Sequence, residues 1–376
     1  MSKVSVVRCP DYEYAKVKES VSKAINLAGS LKKHVQKGDK ILLKVNLLQA
    51  RKPSDAVTTH PAVVRAVCEE IIDCGATPIV GDVLNIQMDR GQNSMEISGI
   101  KSVCNELGVR AVDLKSNGFA KVDLPRSLQM KSLWIAKDVL DADFVISLPK
   151  MKTHMLTGYT GAIKNFFGCI PFGERMRSHL AGTDYCFSEV LTDIYSAIKP
   201  GFCVMDGIVG MEGAGPSHGD IRSFGIVAAG EDCVSVDAVC SGLMGFGNVN
   251  TISIADKRGL GIGDLKKIEV VGDNVDHFNA KMPNISIRKS QKIAVFIPPS
   301  VRDFLAGSLL KIEPRVDESK CKKCGVCRNV CPAKAITLDD YPVFDRKKCL
   351  KCFCCHELCP EGAIYTYKSW LASKWG

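Results

Sequence analysis

Near its C-terminus the chain reads Cys321-Lys-Lys-Cys324-Gly-Val-Cys327-Arg-Asn-Val-Cys331-Pro332, and then Cys349-Leu-Lys-Cys352-Phe-Cys-Cys355-His-Glu-Leu-Cys359-Pro360. Each run is C-x2-C-x2-C-x3-C-P, a spacing that lets a tight loop present three thiolates to one [4Fe–4S] cube while the fourth reaches the other cube. The spacing assigns Cys321, Cys324, Cys327 and Cys359 to one cluster, and Cys349, Cys352, Cys355 and Cys331 to a second. Pro332 and Pro360 end the ligand runs, because proline fixes φ and donates no N–H. Aligning 321–336 with 349–364 gives identity at eight of sixteen positions. Such a repeat predicts a pseudo-two-fold unit, with Val330/Leu358 and Ile336/Ile364 as a small core between the clusters. Cys354 falls outside the spacing and reads as a small buried residue, not a ligand.

Zinc ribbons also use C-x2-C pairs, but they would not need the full four-cysteine run twice. The other nine cysteines are scattered without paired spacing, and the start, Met-Ser-Lys-Val-Ser-Val-Val-Arg, has no apolar h-region. These features predict a cytoplasmic protein in a reducing compartment with free thiols. No apolar run is long enough to span a bilayer. The formal charge is +9, and two oxidised cubes at about −2 each would bring it to near +5. Lys320, Lys322, Lys323, Lys347, Lys348 and Lys351 flank the thiolates and balance them. Without interleaved aromatic residues they do not read as a nucleic-acid patch.

With 376 residues, the chain is too long for the cysteine unit alone. The expected division is an α/β domain over 1–297, a linker helix over 298–314 and a small α+β cluster-binding domain over 315–376. In the first part, strand patterns at Ser5–Cys9, Lys40–Val45, Pro78–Val80, Val109–Leu114, Phe144–Leu148, Phe202–Met205 and Gly225–Ala229 alternate with helix patterns. The helix patterns cover Val17–Leu27, Pro61–Cys74, Met95–Leu107 and Val234–Leu243. Apolar strands separated by helices predict a mostly parallel sheet covered on both faces. Ligands of such sheets bind at the carboxyl ends of the strands. Lys44, Asn46, Asp82, Lys150, Lys152, His154 and Asp206 all follow strand patterns and would gather there.

The stretch from Lys150 to Gly168 carries Lys150, Lys152, His154 and Lys164 among glycines. It suits an anionic ligand, a carboxylate or phosphate, held by cations and a helix N-terminus. Its plain alternative is a solvated basic loop. A second glycine-rich stretch, 206–219, carries Asp206 and Glu212. That second stretch matches neither a dinucleotide nor a Walker fingerprint, and Gly259-Leu-Gly261-Ile-Gly263 fails the dinucleotide spacing too. His60 reads as a helix-opening residue.

Taken together, Lys44-Val-Asn46, Thr59-His60-Pro61, Gly81-Asp82, Lys150-x-Lys-x-His154, Thr157-Gly158, Lys164-Asn165, Asp206, Met211-Glu212-Gly213-x-Gly215-Pro216 and Asp237 resemble an uncharacterised family, domain of unknown function 362. Members of that family often end, as here, in a two-cluster ferredoxin domain. The resemblance implies a polar site but no reaction, and it transfers only electron transfer, onto the eight cysteines. The leading expectation is an iron–sulfur protein with two [4Fe–4S] clusters that passes single electrons to a redox partner or to an anionic substrate. If the larger domain is an enzyme, it is a ferredoxin-linked oxidoreductase. His154 would then act as acid, Lys150 and Lys164 as anion clamps, and Asp206 or Glu212 as base or metal ligand. The alternative is a redox sensor or cluster carrier with a non-catalytic α/β domain.

Overall fold

Ile41, Leu43 and Val45 enter one apolar core while Leu42, between them, enters another. Phe202 and Val204 against Cys203 and Met205 repeat the split. A strand buried on both faces needs a layer on each side. That is the architecture of the computed structural model, which describes residues 1–84, 91–282 and 312–370.

The larger part begins β1 (Ser2–Arg8), α1 (Tyr14–Ala28), β2 (Lys40–Val45), α2 (Pro61–Asp73), β3 (Thr77–Asp82), α3 (Ser94–Ile97), α4 (Ile100–Glu106) and β4 (Arg110–Asp113). It continues with β5 (Phe119–Asp123), β6 (Ser132–Ala136), α5 (Lys137–Leu140), β7 (Phe144–Leu148), β8 (Lys150–His154), β9 (Gly158–Thr160), α6 (Ala162–Asn165) and α7 (Phe172–Ser178). It closes with α8 (Asp184–Ile198), β10 (Phe202–Glu212), β11 (Asp220–Gly230), α9 (Cys233–Leu243), α10 (Asn250–Lys257) and β12 (Ile268–Gly272). The C-terminal part holds β13 (Ile312–Val316), α11 (Val326–Asn329), β14 (Ile336–Leu338), β15 (Pro342–Phe344), α12 (Cys354–Glu357) and β16 (Ile364–Lys368).

Ten strands form one sheet in the order β12-β1-β11-β10-β7-β2-β3-β4, with β8 beside β10 and β9 beside β8. From β10 through β7, β2 and β3 to β4 every pairing is parallel, whereas β11 runs antiparallel to both β10 and β1. The sheet is therefore mixed but mostly parallel, as expected. Val17, Val21, Val67, Ile71 and Ile100 carry α1, α2 and α4 into one core, and Val190, Ile194, Val236 and Val239 carry α8 and α9 into the other. The small part pairs β13 with β16 and β14 with β15.

Three elements depart from expectation. The helix over Met95–Leu107 is broken at Gly99, whose φ of +75° is a left-handed conformation open to glycine. The strands at Phe202–Met205 and Gly225–Ala229 are the apolar ends of eleven-residue hairpin arms. Their outer halves carry polar residues such as Glu212 and Arg222, which hid them. Lys150–His154 is a fully buried strand, not a loop entering a helix, because β10 continues past Met205 and offers it a partner at Asp206↔Lys150.

The linker helix expected over 298–314 lies outside the described residues up to 311, and Pro314 sits in β13. Ile336 and Ile364 share a core with Cys327, Cys355 and Cys359, as expected. Val330 and Leu358 instead join Val326 and Cys354 and pack against Leu48, Phe172 and Met176 of the larger part. Among the described residues no helix is long and apolar enough to cross a membrane.

Candidate functional site

Parallel strands deliver their carboxyl ends to one edge of the sheet, and the polar residues found there are paired with one another. Lys44 Nζ lies 3.0 Å from Asp82 Oδ2 at the ends of β2 and β3. The Asp82 carboxylate also accepts the N–H groups of Leu47 and Val83, each at 2.8 Å. Burial pushes this carboxyl up, against the pull of Lys44. The Asn165 amide donates to Lys44 O at 2.7 Å and to Ser147 Oγ at 3.1 Å, tying α6 to β2 and β7.

Alternation along β8 puts Lys150, Lys152 and His154 on one face. Lys150 Nζ lies 2.9 Å from Asp206 Oδ2, with both side chains fully buried. Tyr12 Oη donates to the other Asp206 oxygen at 2.8 Å, and the His60 N–H donates to Oδ2 at 2.9 Å. His60 caps α2 through Nδ1 and stacks on the Tyr12 ring at 3.5 Å. The pair is thus a closed buried network, which burial loads by pushing Lys150 down.

Among the described residues, the hydrogen-bond partners of Lys152 are neutral. It donates to Asn46 Oδ1 at 2.8 Å and to Val57 O at 2.7 Å. Burial, and then Lys164, pushes it down to about 7. His154 Nδ1 accepts the N–H groups of Leu156 and Thr157 at 3.1 and 3.2 Å. The ring proton therefore sits on Nε2, which faces Glu357 Oε2 at 3.4 Å. Burial first, and Lys164 next, pushes His154 down to about 4. At neutral pH it is a neutral ring whose Nε2 has no hydrogen-bond partner among the described residues, and an imidazolium acid here would work against that burial.

The helix expected to offer its N-terminus to an anion is the four-residue α6, and that terminus is taken. Asp237 accepts the N–H groups of Ala162 at 2.7 Å and Ile163 at 2.9 Å, and Tyr159 Oη at 3.2 Å. Lys164, at the far end of α6, lies half-buried with its Nζ 5.4 Å from the centre of the Phe167 ring. Beside it opens a cleft lined by Lys150, Lys152, Lys164 and Arg175, by Phe167, Phe172 and Met176, and by His179. Cys354, Glu357 and Leu358 of the C-terminal part close its remaining side. The main chain fixes that closure, with Gln49 Nε2 donating to Glu357 O and an Arg51 Nη donating to Pro360 O, both at 3.1 Å.

Of the predicted residues, Lys150 and Lys164 line the cleft, whereas Asp206 and His154 stand behind it, against Lys150 and Glu357. Glu212 is not among the residues that line it, for it binds Arg222 at 2.6 Å and the Lys281 N–H at 2.9 Å. Burial raises this carboxyl, but Arg222 and Lys281 together hold it below the usual range. Tyr12, Arg175, His179 and Glu357 were not foreseen. Arg175 and His179 stand in a helical stretch without a motif, and Glu357 is hidden inside a cysteine run that reads as metal-binding alone.

In the C-terminal part, Cys321, Cys324, Cys327 and Cys359 line a single recess. The Cys349 thiol is pushed up by burial and by the nearby Cys352 and Cys331. Cys355 is pushed up further, by burial and by Cys352, Cys349, Cys327 and Cys331. Soft donors crowded in this way fit an iron–sulfur cube, whose cationic irons stabilise thiolates that otherwise repel one another. Cys354 is buried with its Sγ 3.5 Å from that of Cys352. Among the described residues no three His, Cys, Asp or Glu side chains gather closely enough for one metal ion, whereas a cube spreads its thiols around a larger body.

A family model described as a domain of unknown function (DUF362) matches residues 41–242, and one described as a 4Fe-4S binding domain matches 314–337. The second match covers the first cysteine run only. A thylakoid-associated protein of Synechocystis sp. is 32% identical over 261 residues, which is 69% of this chain and 79% of that protein. The lactate racemase apoprotein of Thermoanaerobacterium thermosaccharolyticum aligns with a TM-score of 0.43 at 12% identity over 66% of this chain, which spans 58% of the racemase. A loganic acid methyltransferase with SAH aligns with a TM-score of 0.22 at 12% identity over 82% of this chain and 72% of the methyltransferase. Structural likenesses this slight carry no argument.

Proposed function

We propose a redox function from the premise that the chain belongs to the DUF362 family and joins that domain to a 4Fe-4S binding domain. Its eight motif cysteines hold two [4Fe–4S] clusters, the first on Cys321, Cys324, Cys327 and Cys359, the second on Cys349, Cys352, Cys355 and Cys331. The observation that carries the reading is that Cys359, from the second run, lines the recess of the first. When bound, such clusters supply one-electron transfer, at low potential for all-cysteine ligation.

The chain's own residues then serve a substrate or partner at the cleft. Leu358 and Cys354 pack against Leu48, Phe172 and Met176, excluding water between the cysteine loops and the cleft. Lys152, Lys164 and Arg175 attract an anion, and the neutral His154 ring lies beside the Glu357 carboxylate at 3.4 Å. The activity is that of a ferredoxin-linked oxidoreductase. The chain's eighteen cysteines include no disulfide, which suits a reducing compartment such as the cytoplasm. The Synechocystis relative's thylakoid association suggests a redox partner at a membrane surface.

Anaerobic purification with iron and sulfide analysis, followed by EPR of the dithionite-reduced protein, tests the reading. The expected result is about eight irons per chain and two interacting S = 1/2 signals. Zinc in place of iron, or centres that cannot be reduced, would overturn it.

A further inference from the structure

Among the described residues, Lys152 and Lys164 have no carboxylate within ion-pair distance, although both line the cleft. His179, only 6% exposed, lines it too, and its Nδ1 has no hydrogen-bond partner. Arg175 gives its guanidinium to the carbonyl oxygens of Ile170 and Val83, each at 3.1 Å, and to no acid. Buried cations without counter-ions are costly. Asp82, the acid on the sheet side, is already engaged by Lys44 at 3.0 Å.

The other acid of the cleft is Glu357, supplied by the cysteine-bearing part. Its carboxylate lines the cleft beside Lys152, Lys164 and Arg175 and so brings an acidic group into the cationic field. Its contact with His154 is 3.4 Å long, so it supplies charge without closing a tight ion pair. Beside the cations, Phe167, Phe172, Met176, Leu48 and Leu358 add apolar surface to the lining.

We propose that this cleft is a receptor for a small organic carboxylate with an apolar body, which competes with the Glu357 carboxylate for the Lys152–Lys164 cations. The apolar part of the lining favours an organic acid over bare phosphate, which would leave that part wet. Because Glu357 lies two residues from both Cys355 and Cys359, binding alters the charge beside both cysteine groups. The ligand is thereby sensed where electrons are held. This rests on reading the cleft as the substrate site of a redox protein.

Anaerobically purified full-length holoprotein is titrated with benzoate by calorimetry, with inorganic phosphate as the comparison. Benzoate binds the wild type, Glu357→Gln tightens it at least tenfold, and Lys164→Met weakens it at least tenfold. Benzoate shifts the EPR spectrum of the reduced wild type and leaves that of Lys164→Met unmoved. Unchanged or weaker binding to Glu357→Gln, absence of benzoate binding, or phosphate binding as tightly as benzoate would overturn the assignment. Should Glu357→Gln not retain its iron, Glu357→Asp, which draws the charge back from the cations, carries the same expectation in direction. Iron, sulfide and reducibility are scored without ligand, so failure here is separate from failure of the redox reading.

Discussion

Lys152 shows how one residue records the character of the cleft. Its ammonium is met by Asn46 Oδ1 and Val57 O, both uncharged, while Lys164 and Lys150 oppose its charge and Glu357 and Asp206 support it. Burial dominates, and its value falls from 10.5 to about 7. Between those values the unfolded chain binds a proton that the folded protein releases. Stability contributed by this group is therefore fully present above 10.5 and is lost as the pH falls to about 7. Lys152→Met, which cannot titrate, should lose that slope. Anaerobic melting at pH 7 and pH 9 checks this: the wild type should gain more, or lose less, than the variant over that interval. Identical shifts in the two proteins would mean that Lys152 keeps its proton when folded. Lys150 is as deeply buried and is pushed down by burial as well, but there Asp206, 2.9 Å away, pulls against the shift.

Among the elements, the turn from β9 into α6 holds the cleft in shape through Asp237. The carboxylate of Asp237 comes so close to Gly161 that a Cβ there would stand 2.0 Å from Oδ1 and 2.4 Å from Tyr159 Oη. Gly161→Ala should force the turn off its anchor and cost about 2–3 kcal/mol, from overpacking and two weakened buried hydrogen bonds. Gly173→Ala, in α7 with nothing within 4 Å of its added carbon, should be neutral or slightly stabilising, as alanine is in a helix. Melting temperatures of the two variants provide the comparison, and equal values would remove the anchoring role of Gly161. This turn also marks the limit of what the sequence discloses. Strands buried on both faces, such as Lys40–Val45 and Phe144–Leu148, were legible because continuous apolar runs have few other uses. Lys150–His154 was not, since four of its five side chains are cationic or polar and only the edge of β10 makes it a strand. The anchoring of α6 by Asp237, 76 residues after Gly161, is a tertiary pairing that no local spacing encodes.

For the molecule as a whole, the cysteine unit is both an iron–sulfur module and a wall of the cleft. Half of that statement was legible in the C-x2-C-x2-C-x3-C-P runs. The other half was not, because Glu357 and Leu358 occupy spacer positions whose role depends on which surface the unit meets. Val330 and Leu358 illustrate the point: repeat symmetry pairs them between the clusters, but contact with Leu48, Phe172 and Met176 draws them to the interface instead. The repeat nevertheless makes a sharp prediction about ligation, since crossing the fourth cysteine sorts the eight residues differently from their order in the chain. With crossed ligands, Cys331→Ala should damage the same centre as Cys352→Ala, and Cys359→Ala the same centre as Cys324→Ala. Each variant should retain about four intact irons in its undamaged cube, and the reduced EPR spectra should fall into those two pairs. If Cys331→Ala instead matched Cys324→Ala, each run would serve its own cluster. Cys359 would then have to leave the recess it lines with Cys321, Cys324 and Cys327, carrying Leu358 and Glu357 away from the cleft with it. The pairing of spectra thus tests the cluster ligands and the closure of the cleft together, because one short helix, Cys354–Glu357, and the two residues after it serve both.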